Sequence, residues 1–431
     1  MQKQKTKFKQ TEIGMIPEDW KVVKLGSVCE VKSGKRLPKS KTLVEYKTQH
    51  PYIRVRDLAN GTIKVNELLF LEDETFNKIS RYIITKDDIY ISIVGTIGLV
   101  GLVPEIISGA NLTENCARLT NIKKTTKEWL SYFLNTKIGQ DQIRSLTVGT
   151  TQGKLALFRI KDINIPLSSL TEQQQIVAIL SSLDSKIELN QQMNKNLKAI
   201  GGAIFKRWFI DFEFPDEKGK PYKSSGKEMI ESELGEIPKK WKIENVQDFL
   251  MFEKGIEPGS KYYLTKYSKN DIQFIRVGDI STPRREKIFI PLKLAEKKLC
   301  KQDDILLSLD ATIGIVRVGM EGAFSSGIRK VYSKDKGAVP KGYIYFLLKN
   351  KFIQNTIYTY AIGTTILHAG ASLDHMNLAI PNNEIFSKFS ILIDPIFNKL
   401  INNLIEVKNL SQIRDSLLPR LMLGKIRVNL K

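Results

Sequence analysis

The sequence predicts an α+β protein in which two globular domains repeat in tandem and are separated by two long helices that pair as an antiparallel coiled coil. Two stretches carry apolar residues at helical spacing over a length that no single globular core can bury. The regions outside them mix short β-branched runs with glycine turns and helical patterns. Motifs of the first half of the chain return in the same order in the second half.

The first long helix is predicted from Thr171 to Phe212. Its apolar stripe runs from Ile176 to Ile187 and resumes from Met193 to Trp208 after a polar gap. Thr171, followed by Gln174 three residues later, forms a capping-box pattern that predicts where the helix starts. A helix of this kind would span about 50–60 Å with a narrow stripe, so it needs a partner helix.

The partner helix is predicted at the C-terminal end, where a similar stripe runs from Ile393 to Leu421. Asp394 and Pro395 resemble an N-cap followed by proline at the first helical position, although a kink is the alternative. The two stripes align at Lys186 with Lys399, Ile187 with Leu400, Leu197 with Leu410, Ile200 with Ile413 and Arg207 with Arg420. We favour antiparallel pairing, because a parallel pair would require the intervening chain to return along nearly its full extended reach.

The internal repeat covers most of the chain. Its matched motifs are Ile13–Gly26 with Leu234–Val246, Gly34 with Gly255, Tyr52–Leu58 with Phe274–Ile280, Lys86–Gly98 with Gln302–Gly314, Val148–Leu155 with Ile362–Ala369, and Ile165-Pro166 with Ile380-Pro381. The domains predicted from it are residues 1–170 (first globular domain), 171–212 (central helix), 213–384 (linker and second globular domain) and 385–431 (C-terminal helix). The polar, glycine- and serine-containing stretch from Glu213 to Glu231 is predicted to be the linker.

Within each globular domain, short strands and helices alternate. Strands are predicted at Tyr52–Val55 and Ile89–Val94, and helices at Thr126–Asn135 and Gly342–Lys349. The uncharged run Ile89–Pro104 is too short for a membrane span and contains several glycines, so it predicts strand–turn–strand.

The composition is that of a globular protein with a strong positive charge. Lysine and arginine number 67 against 46 aspartate and glutamate, which gives a formal net charge of +21. This excess favours a polyanion such as nucleic acid as partner, although a lysine-rich proteome is an alternative explanation. The cysteines Cys29, Cys116 and Cys300 have no metal-binding spacing, and the N-terminus lacks the pattern of a signal peptide, so we expect a cytoplasmic protein.

Two domains held by a rigid helix pair suit a double-stranded DNA target in two parts, because the duplex repeats about every 34 Å. The domains differ between their matched motifs, so each is expected to read a different half-site. The predicted target is therefore asymmetric, with an unread gap. Lysines would contact phosphates, and arginine and amide side chains are better suited to base edges.

No catalytic motif is found in the sequence. There is no phosphate loop, no dinucleotide fingerprint and no Asn-Pro-Pro or Asp-Pro-Pro run followed by an aromatic residue. The histidines His50, His368 and His375 are too scattered to suggest a metal site. The pairs Asp87-Asp88 and Asp303-Asp304 could be nuclease carboxylates, but their place before apolar strands favours a role in turns.

The chain resembles a known family in its central stretch and at the start of each repeat. Its central stretch reads IPLSSLTEQQQIVAILSSLDSKIELNQQMNKNLKAIGGAIFKRWFIDF and is entered from GTTQGKL. This stretch is similar to the central conserved region of the DNA-specificity (S) subunits of type I restriction–modification systems. The Gly-x-Ile-Pro-x-x-Trp opening of each repeat resembles the start of that family's target-recognition domains. The second helix departs from the pattern, because it lacks the Glu-Gln entry and the Trp-Phe-x-Asp-Phe ending.

The resemblance implies a non-catalytic subunit that selects the DNA sequence. It would dock two methyltransferase (M) subunits, which use S-adenosylmethionine to methylate adenine, and two restriction (R) subunits, which use ATP and Mg²⁺ to translocate and cleave DNA. The subunit itself would hold no cofactor and no metal. Trp208, Phe209 and Phe212 are candidates for partner docking, or alternatively close the hydrophobic end of the helix pair.

Candidate DNA contacts are basic, amide-bearing or hydroxyl residues near glycine-marked loops. In the first domain they are Lys35, Arg36, Arg54, Arg56, Thr150, Thr151, Gln152 and Lys154, and in the second they are Arg276, Arg284, Arg285, Thr364, Thr365 and His368. The repeated Gly-Thr-Thr is either a contact or a structural turn. Arg54 and Arg276 recur at matched positions, so they are expected to bind phosphate or support the fold rather than read sequence.

The sequence also allows two other functions. The chain could be the specificity subunit of a related methyltransferase that lacks the motor nuclease, which a neighbouring motor-nuclease reading frame would decide. It could also be a basic coiled-coil adaptor without sequence preference, which would leave no sequence-specific footprint on DNA.

Overall fold

The computed structural model describes residues 6–59, 61–149, 153–282, 286–295, 297–335 and 337–428. The chain divides into two units, the first formed by Met1–Ser185 with Leu410–Lys431 and the second by Lys186–Asn409. Each unit thus contains one globular region and parts of both long helices.

The first unit contains strands and short helices followed by the start of a long helix. Its strands are β1 (Phe8–Thr11), β2 (Gly14–Pro17), β3 (Lys21–Lys24), β4 (Glu30–Ser33), β5 (His50–Ile53), β6 (Leu69–Leu71), β7 (Ile83–Ile84), β8 (Ile89–Ser92), β9 (Val100–Leu102), β10 (Ala110–Leu112), β11 (Cys116–Thr120) and β12 (Asn164–Leu167). Its helices are α1 (Asp73–Ile79), α2 (Lys127–Asn135), α3 (Lys137–Ser145), α4 (Leu157–Lys161) and the beginning of α5 (Leu170–Phe209).

The second unit contains the rest of α5 and a second set of strands and helices. Its strands are β13 (Met229–Ile230), β14 (Ile237–Pro238), β15 (Lys242–Asn245), β16 (Leu250–Lys254), β17 (Asp271–Ile275), β18 (Ile288–Pro291), β19 (Leu299–Cys300), β20 (Ile305–Ser308), β21 (Val316–Arg317), β22 (Gly322–Phe324), β23 (Ile328–Ser333) and β24 (Asn377–Ile380). Its helices are α6 (Val246–Phe249), α7 (Val277–Ser281), α8 (Lys341–Leu348), α9 (Lys351–Thr359) and most of α10 (Asn383–Met422).

The two units build their sheets in the same strand order. One sheet runs β6-β5-β10-β7 in the first unit and β18-β17-β22-β19 in the second. The other runs β4-β11-β8-β9 in the first unit and β16-β23-β20-β21 in the second. Each of the former sheets also holds a parallel pair at the matched place, β5 with β10 and β17 with β22. The tandem repeat predicted from the sequence is therefore a repeat of fold.

The strands at the centre of each unit are buried on both faces. All residues of β8 and of β20 are buried, which explains why their sequences are continuous apolar runs rather than alternating ones. The run Ile89–Pro104 forms the antiparallel pair β8–β9, which confirms the strand–turn–strand prediction. Among the helices of the described ranges, none is both long and apolar enough to cross a membrane.

A glycine at the matched positions 34 and 255 is required by close packing. A Cβ atom at Gly34 would overlap the carbonyl oxygens of Leu112 and Thr113, and one at Gly255 would overlap those of Phe324 and Ser325. Any side chain at either position would push apart two segments of the sheet edge. The motif match around these glycines therefore reflects a steric demand that both copies share.

The start of α5 differs from the prediction. The helix begins at Leu170, and the hydroxyl of Ser169 accepts the backbone N–H of Glu172 at 3.2 Å. The capping box assigned to Thr171 and Gln174 is therefore wrong, because Ser169 provides the cap two residues earlier.

The start of α10 also differs. The helix begins at Asn383, and the Asn382 side chain accepts the backbone N–H of Ile385 at 3.2 Å. The N-cap prediction for Asp394 and Pro395 is wrong, because both residues lie inside the helix. A proline inside a helix destabilises it by roughly 3 kcal/mol. The turns of α10 that precede Asp394 offset this loss because they bury apolar residues such as Phe389, which is fully buried.

The two long helices contact each other in both units and run antiparallel, as predicted. In the first unit the Arg414 Nη1 bonds to the Asp184 Oδ1 at 2.8 Å. In the second unit Asn403 donates to Asn194 at 3.0 Å, and the ring of Phe389 lies 6.5 Å from that of Phe205. In the second unit, residue numbers rise along α5 from Asn194 to Phe205 while those of their partners fall along α10 from Asn403 to Phe389, which defines the antiparallel direction.

The stretch predicted as a polar linker is packed rather than extended. The Phe214 ring is buried and stacks on Tyr222 and Trp241, with centroid distances of 4.6 and 5.2 Å. The Asp216 carboxylate accepts backbone N–H groups of Lys218 at 2.8 Å and Lys220 at 2.9 Å, which closes a tight turn. Two aromatic residues within a polar stretch are enough to attach it to the second unit.

Candidate nucleic-acid interface

A five-residue loop is closed at matched places in both units. Backbone hydrogen bonds of 3.1 and 2.8 Å join Val148 and Lys154 in the first unit, and bonds of 2.9 and 2.8 Å join Ile362 and His368 in the second. We call residues 148–154 the first closed loop and residues 362–368 the second closed loop. Thr150, Thr151 and Gln152 lie outside the described residues, whereas Thr364 and Thr365 are exposed. Lys154 and His368 are both exposed at the base of their loops.

Contacts link the first closed loop to the other candidate residues of the first unit. Lys154 forms a β-bridge with Val94, and the N–H of Val94 donates to Asn115 at 3.3 Å. Glu114, next to Asn115, accepts a hydrogen bond of 2.7 Å from Arg36. Lys35, Arg36, Lys154 and its backbone partner Val148 therefore lie along one edge of the unit, which we call the first loop edge.

An ion pair between Arg36 and Glu114 lies on this edge. The hydrogen bond to Glu114 raises the pKa of Arg36, and the Arg36 side chain is 79 % exposed. Burial acts to raise the pKa of Glu114, but hydrogen bonds from Arg36, its own backbone and Thr113 outweigh burial and lower it. The guanidinium is thus held in place by one carboxylate while most of its surface faces solvent.

Arg54 and Arg276 have a structural partner. Arg54 donates to Asp57 at 2.9 and 2.8 Å, and Arg276 donates to Asp279 at 3.0 and 3.1 Å. In both pairs the aspartate also accepts the arginine backbone N–H, so each pair closes the turn that follows β5 or β17. The hydrogen bond to Asp279 raises the pKa of Arg276. Arg56, beside the first pair, is exposed.

The matching edge of the second unit carries different side chains. Asp310 stands where the first unit has Val94, and its carboxylate lies 2.8 Å from the Nδ1 of His368. Arg329 donates to the carbonyl of Ser326 at 2.5 Å; burial lowers its pKa, and the charge of Asp310 opposes this effect. We call this edge, with the second closed loop, the second loop edge. Arg284 and Arg285 lie outside the described residues.

Exposed apolar side chains on the closed loops were missed by the sequence prediction. Val148 is 52 % exposed, Ile362 is 70 % exposed and Ile366 is 55 % exposed. An apolar side chain on a DNA-binding loop can contact the methyl group of thymine, or wedge between base steps. The signal was available in the sequence, because a β-branched residue precedes Gly-Thr-Thr in both copies.

Two of the four carboxylates considered as nuclease residues close turns, and the other two, Asp87 and Asp303, pair with lysine side chains. The Asp88 carboxylate accepts the N–H of Thr85 at 2.8 Å, and the Asp304 carboxylate accepts the N–H of Lys301 at 2.8 Å. His50 lies 3.0 Å from Asp73, and His375 stacks on Tyr360. In the part of the chain that the structure describes, no group of histidine, cysteine and acidic residues is arranged to hold a metal ion.

The aromatic residues proposed for docking lie in the second unit. Trp208 and Phe209 are buried, and Phe209 packs against Phe389 at a centroid distance of 4.8 Å. Phe212 is half-buried and contacts Trp241 at 5.3 Å. All three rings therefore contribute to the hydrophobic core at this end of α5.

Exposed apolar residues on the long helices recur at matched positions. Ile179 aligns with Leu392 and Ile200 with Ile413, and all four are between 37 and 50 % exposed. Ile179 and Ile200 are separated by three heptads, as are Leu392 and Ile413, so all four occupy the same place in the heptad. The first unit presents Ile179 with Ile413, and the second presents Ile200 with Leu392. We call these two pairs the matched apolar pairs.

Comparison with known proteins agrees with this architecture. Residues 17–199 and 238–409 match the model of the type I restriction modification DNA specificity domain. The MjaIX specificity subunit of Methanocaldococcus jannaschii is 29 % identical over 98 % of this chain and 97 % of its own length. The HindI specificity subunit of Haemophilus influenzae is 24 % identical over 86 % of this chain and 90 % of its own length.

A solved structure shares the fold. The type I restriction-modification S subunit from M. genitalium superposes with a TM-score of 0.59 at 16 % identity, over 96 % of this chain and 97 % of that one. The family model matches each half of the chain once, as the repeated sheets require. The chain therefore belongs to the family of type I restriction–modification DNA-specificity subunits.

Proposed function

We propose that this protein is the non-catalytic subunit that selects the DNA target of a type I restriction–modification complex, and that each unit reads one half of a bipartite site. The observation that carries the proposal is the closed loop, which both units present beside a charged edge. The formal net charge of +21 supports binding to a polyanion.

The two half-sites should differ because the two loop edges differ in chemistry. The first edge offers Arg36, whereas the matched position of the second is Glu257, whose carboxylate bonds to Ser326 at 3.2 Å. The base of the closed loop carries Lys154 in the first unit and the pair of His368 with Asp310 in the second. Arginine suits guanine edges, and a carboxylate suits the amino group of cytosine. We therefore propose an asymmetric target.

Partner subunits would carry out the methylation and cleavage reactions. Two methyltransferase subunits would bind S-adenosylmethionine and methylate adenine, and two restriction subunits would use ATP and Mg²⁺ for translocation and cleavage. We propose that the matched apolar pairs dock the methyltransferase subunits. A surface that occurs twice, once in each unit, suits two copies of one protein. The exposed cations Lys186, Lys399, Arg207 and Arg420 at equivalent positions favour an acidic rim on that partner.

DNA footprinting of the complex with its methyltransferase tests the proposal. We expect protection of two short sequence blocks separated by an unprotected gap. Scrambling either block should abolish specific binding, whereas changing the bases of the gap at constant length should have no effect. Uniform protection without sequence preference would contradict the proposal and favour a basic adaptor.

A further inference from the structure

A groove in the second unit is positively charged, and no carboxylate is among its described lining residues. It has a volume of about 350 Å³ and is lined by Gly314, Ile315, Val316, Arg317, Lys349 and Gln354. Lys198 of α5 is not part of this lining, but burial lowers its pKa and the nearby positive charge of Arg317 lowers it further. We call Lys198, Arg317 and Lys349 the basic groove.

The three cations lack an anionic partner among the described residues. Arg317 uses its Nε and Nη2 to donate to the carbonyls of Ile280 and Ser281 at 2.6 and 3.3 Å. Lys349 lies 5.4 Å from the ring centre of Tyr345 and remains exposed. Desolvation in the concave surface lowers the pKa of Lys349, and the charges of Lys198 and Arg317 lower it further. Like charges held together in this way are stabilised by an anion.

The basic groove adjoins the second loop edge. Gly314 ends the turn that starts at Asp310, and within this turn the N–H of Ala311 donates to the carbonyl of Leu367 in the second closed loop at 2.8 Å. A ligand that occupies the loop edge can therefore continue into the groove. DNA is such a ligand, because its phosphates follow each other along the strand at regular spacing.

In the described part of the first unit, the positions that match Arg317, Lys349 and Lys198 carry no charge. By strand register, Gly101 occupies the place of Arg317, since Gly101 pairs with Tyr90 as Arg317 pairs with Leu306. A Cβ atom at Gly101 would overlap the Tyr90 hydroxyl and the backbone of Gly61. The matched positions of Lys349 and Lys198 are Asn135 and Ser411, both uncharged. The structure thus places these cations in one unit only.

We propose that the basic groove binds a backbone phosphate of the DNA at the second half-site, a contact that the first unit does not make. This inference rests on the proposed function. The phosphate would anchor the second unit on the duplex without reading a base. Phosphate contacts with the DNA would therefore be unequal between the two units.

The salt dependence of DNA affinity tests the phosphate contact of the basic groove. The probe is a duplex that carries the two-block sequence found methylated in cells, bound by the complex of this subunit with its methyltransferase. We expect Lys198→Gln with Lys349→Gln to weaken binding roughly tenfold and to make the slope of log K against log salt shallower by about one. Arg317 is left intact because it supports the backbone around Ile280.

A control variant and a modified DNA make the test specific. Lys195→Gln removes the same charge from an exposed position of α5 and should leave the slope unchanged. A neutral methylphosphonate is placed at one position at a time along the second half-site. At one of these positions it should weaken DNA binding by the wild type but not by the double variant. A slope equal to that of the wild type, or an equal loss in the control, would overturn the inference. Wild-type binding without sequence preference would instead overturn the proposed function.

Discussion

At the scale of single residues, the Glu172 carboxylate joins three segments of the first unit. It is 2 % exposed, accepts the indole N–H of Trp20 at 3.0 Å and pairs with Arg427 at 2.7 Å. Arg427 also donates to Asp19 at 2.9 and 2.8 Å. One buried charge therefore ties the start of α5 to the N-terminal region and to the chain that follows α10.

Replacing Glu172 should destabilise the first unit. Glu172→Ala leaves the Trp20 N–H and part of the Arg427 charge buried without partners, which costs about 2–4 kcal/mol. We expect a fall in the melting temperature of several degrees. The control Glu18→Ala removes an exposed carboxylate and should leave the melting temperature nearly unchanged. Equal melting temperatures for the two variants would contradict this role for Glu172.

Arg36 tests whether one unit reads one half-site. Arg36→Ala should weaken binding to the half-site of the first unit by about 1–3 kcal/mol, because a guanidinium positioned by Glu114 suits a base edge. In competition assays, scrambling that half-site should remove the difference between variant and wild type, whereas scrambling the other half-site should preserve it. The same loss with either half scrambled would count against a local role.

Candidate DNA-contact residues could be selected from the sequence, but their hydrogen-bond partners could not be predicted. The repeat pointed to Arg54 and Arg276, yet only the folded turn shows that each is held by an aspartate three residues later. The pairing of Asp310 with His368 joins segments 58 positions apart. Such contacts depend on strand register, which a local pattern does not specify.

At the scale of elements, the periodic helices were the most predictable part of the chain. The stripes from Ile176 and from Ile393 located both long helices, because a narrow apolar face with helical spacing is a strong signal. The ends were missed for local reasons. Ser169 caps α5 before the predicted start, and α10 continues through Pro395 because tertiary burial outweighs propensity.

A polar pair inside the helix seam should set its register. Asn403 donates to Asn194 at 3.0 Å, and both side chains are buried. Asn194→Leu alone should destabilise by about 1–3 kcal/mol, because it removes the acceptor of the Asn403 amide. Asn194→Leu with Asn403→Leu should recover at least that loss. Chemical denaturation of the single and double variants measures the coupling, and additive losses would show that the pair is not coupled.

The matched apolar pairs predict the number of bound methyltransferase subunits. Ile179→Asp with Ile413→Asp should remove one docking surface, because a buried charge without a partner disrupts an apolar contact. We expect the complex to fall from two methyltransferase subunits to one, measured by mass photometry. Ile200→Asp with Leu392→Asp should have the same effect, and the four changes together should remove both.

An exposed leucine on α5 provides the control for this experiment. Leu189 is 54 % exposed, but its matched residue on α10 is Asn402, so it belongs to no repeated pair. Leu189→Asp should leave two methyltransferase subunits bound. Retention of both subunits by all the paired variants would refute the docking surfaces while leaving DNA recognition untouched.

At the scale of the whole molecule, the internal repeat allows each position of one copy to be compared with its match in the other copy. Features that both copies keep, such as Gly34 with Gly255, serve the fold, because a side chain at either site would strike backbone carbonyls. Features that differ, such as Val94 and Asp310, change the chemistry of otherwise equivalent edges. The duplication was visible in sequence, whereas the basic groove was not, since its cations come from separate elements.

The most direct test of the central claim is the methylation motif found by sequencing DNA from cells that express this subunit with its methyltransferase. The account predicts methylated adenines within a motif of two different short blocks separated by a gap of fixed length and free sequence. A single continuous motif, or two blocks that are identical inverted copies, would contradict the claim that two unlike units each read one half of the site.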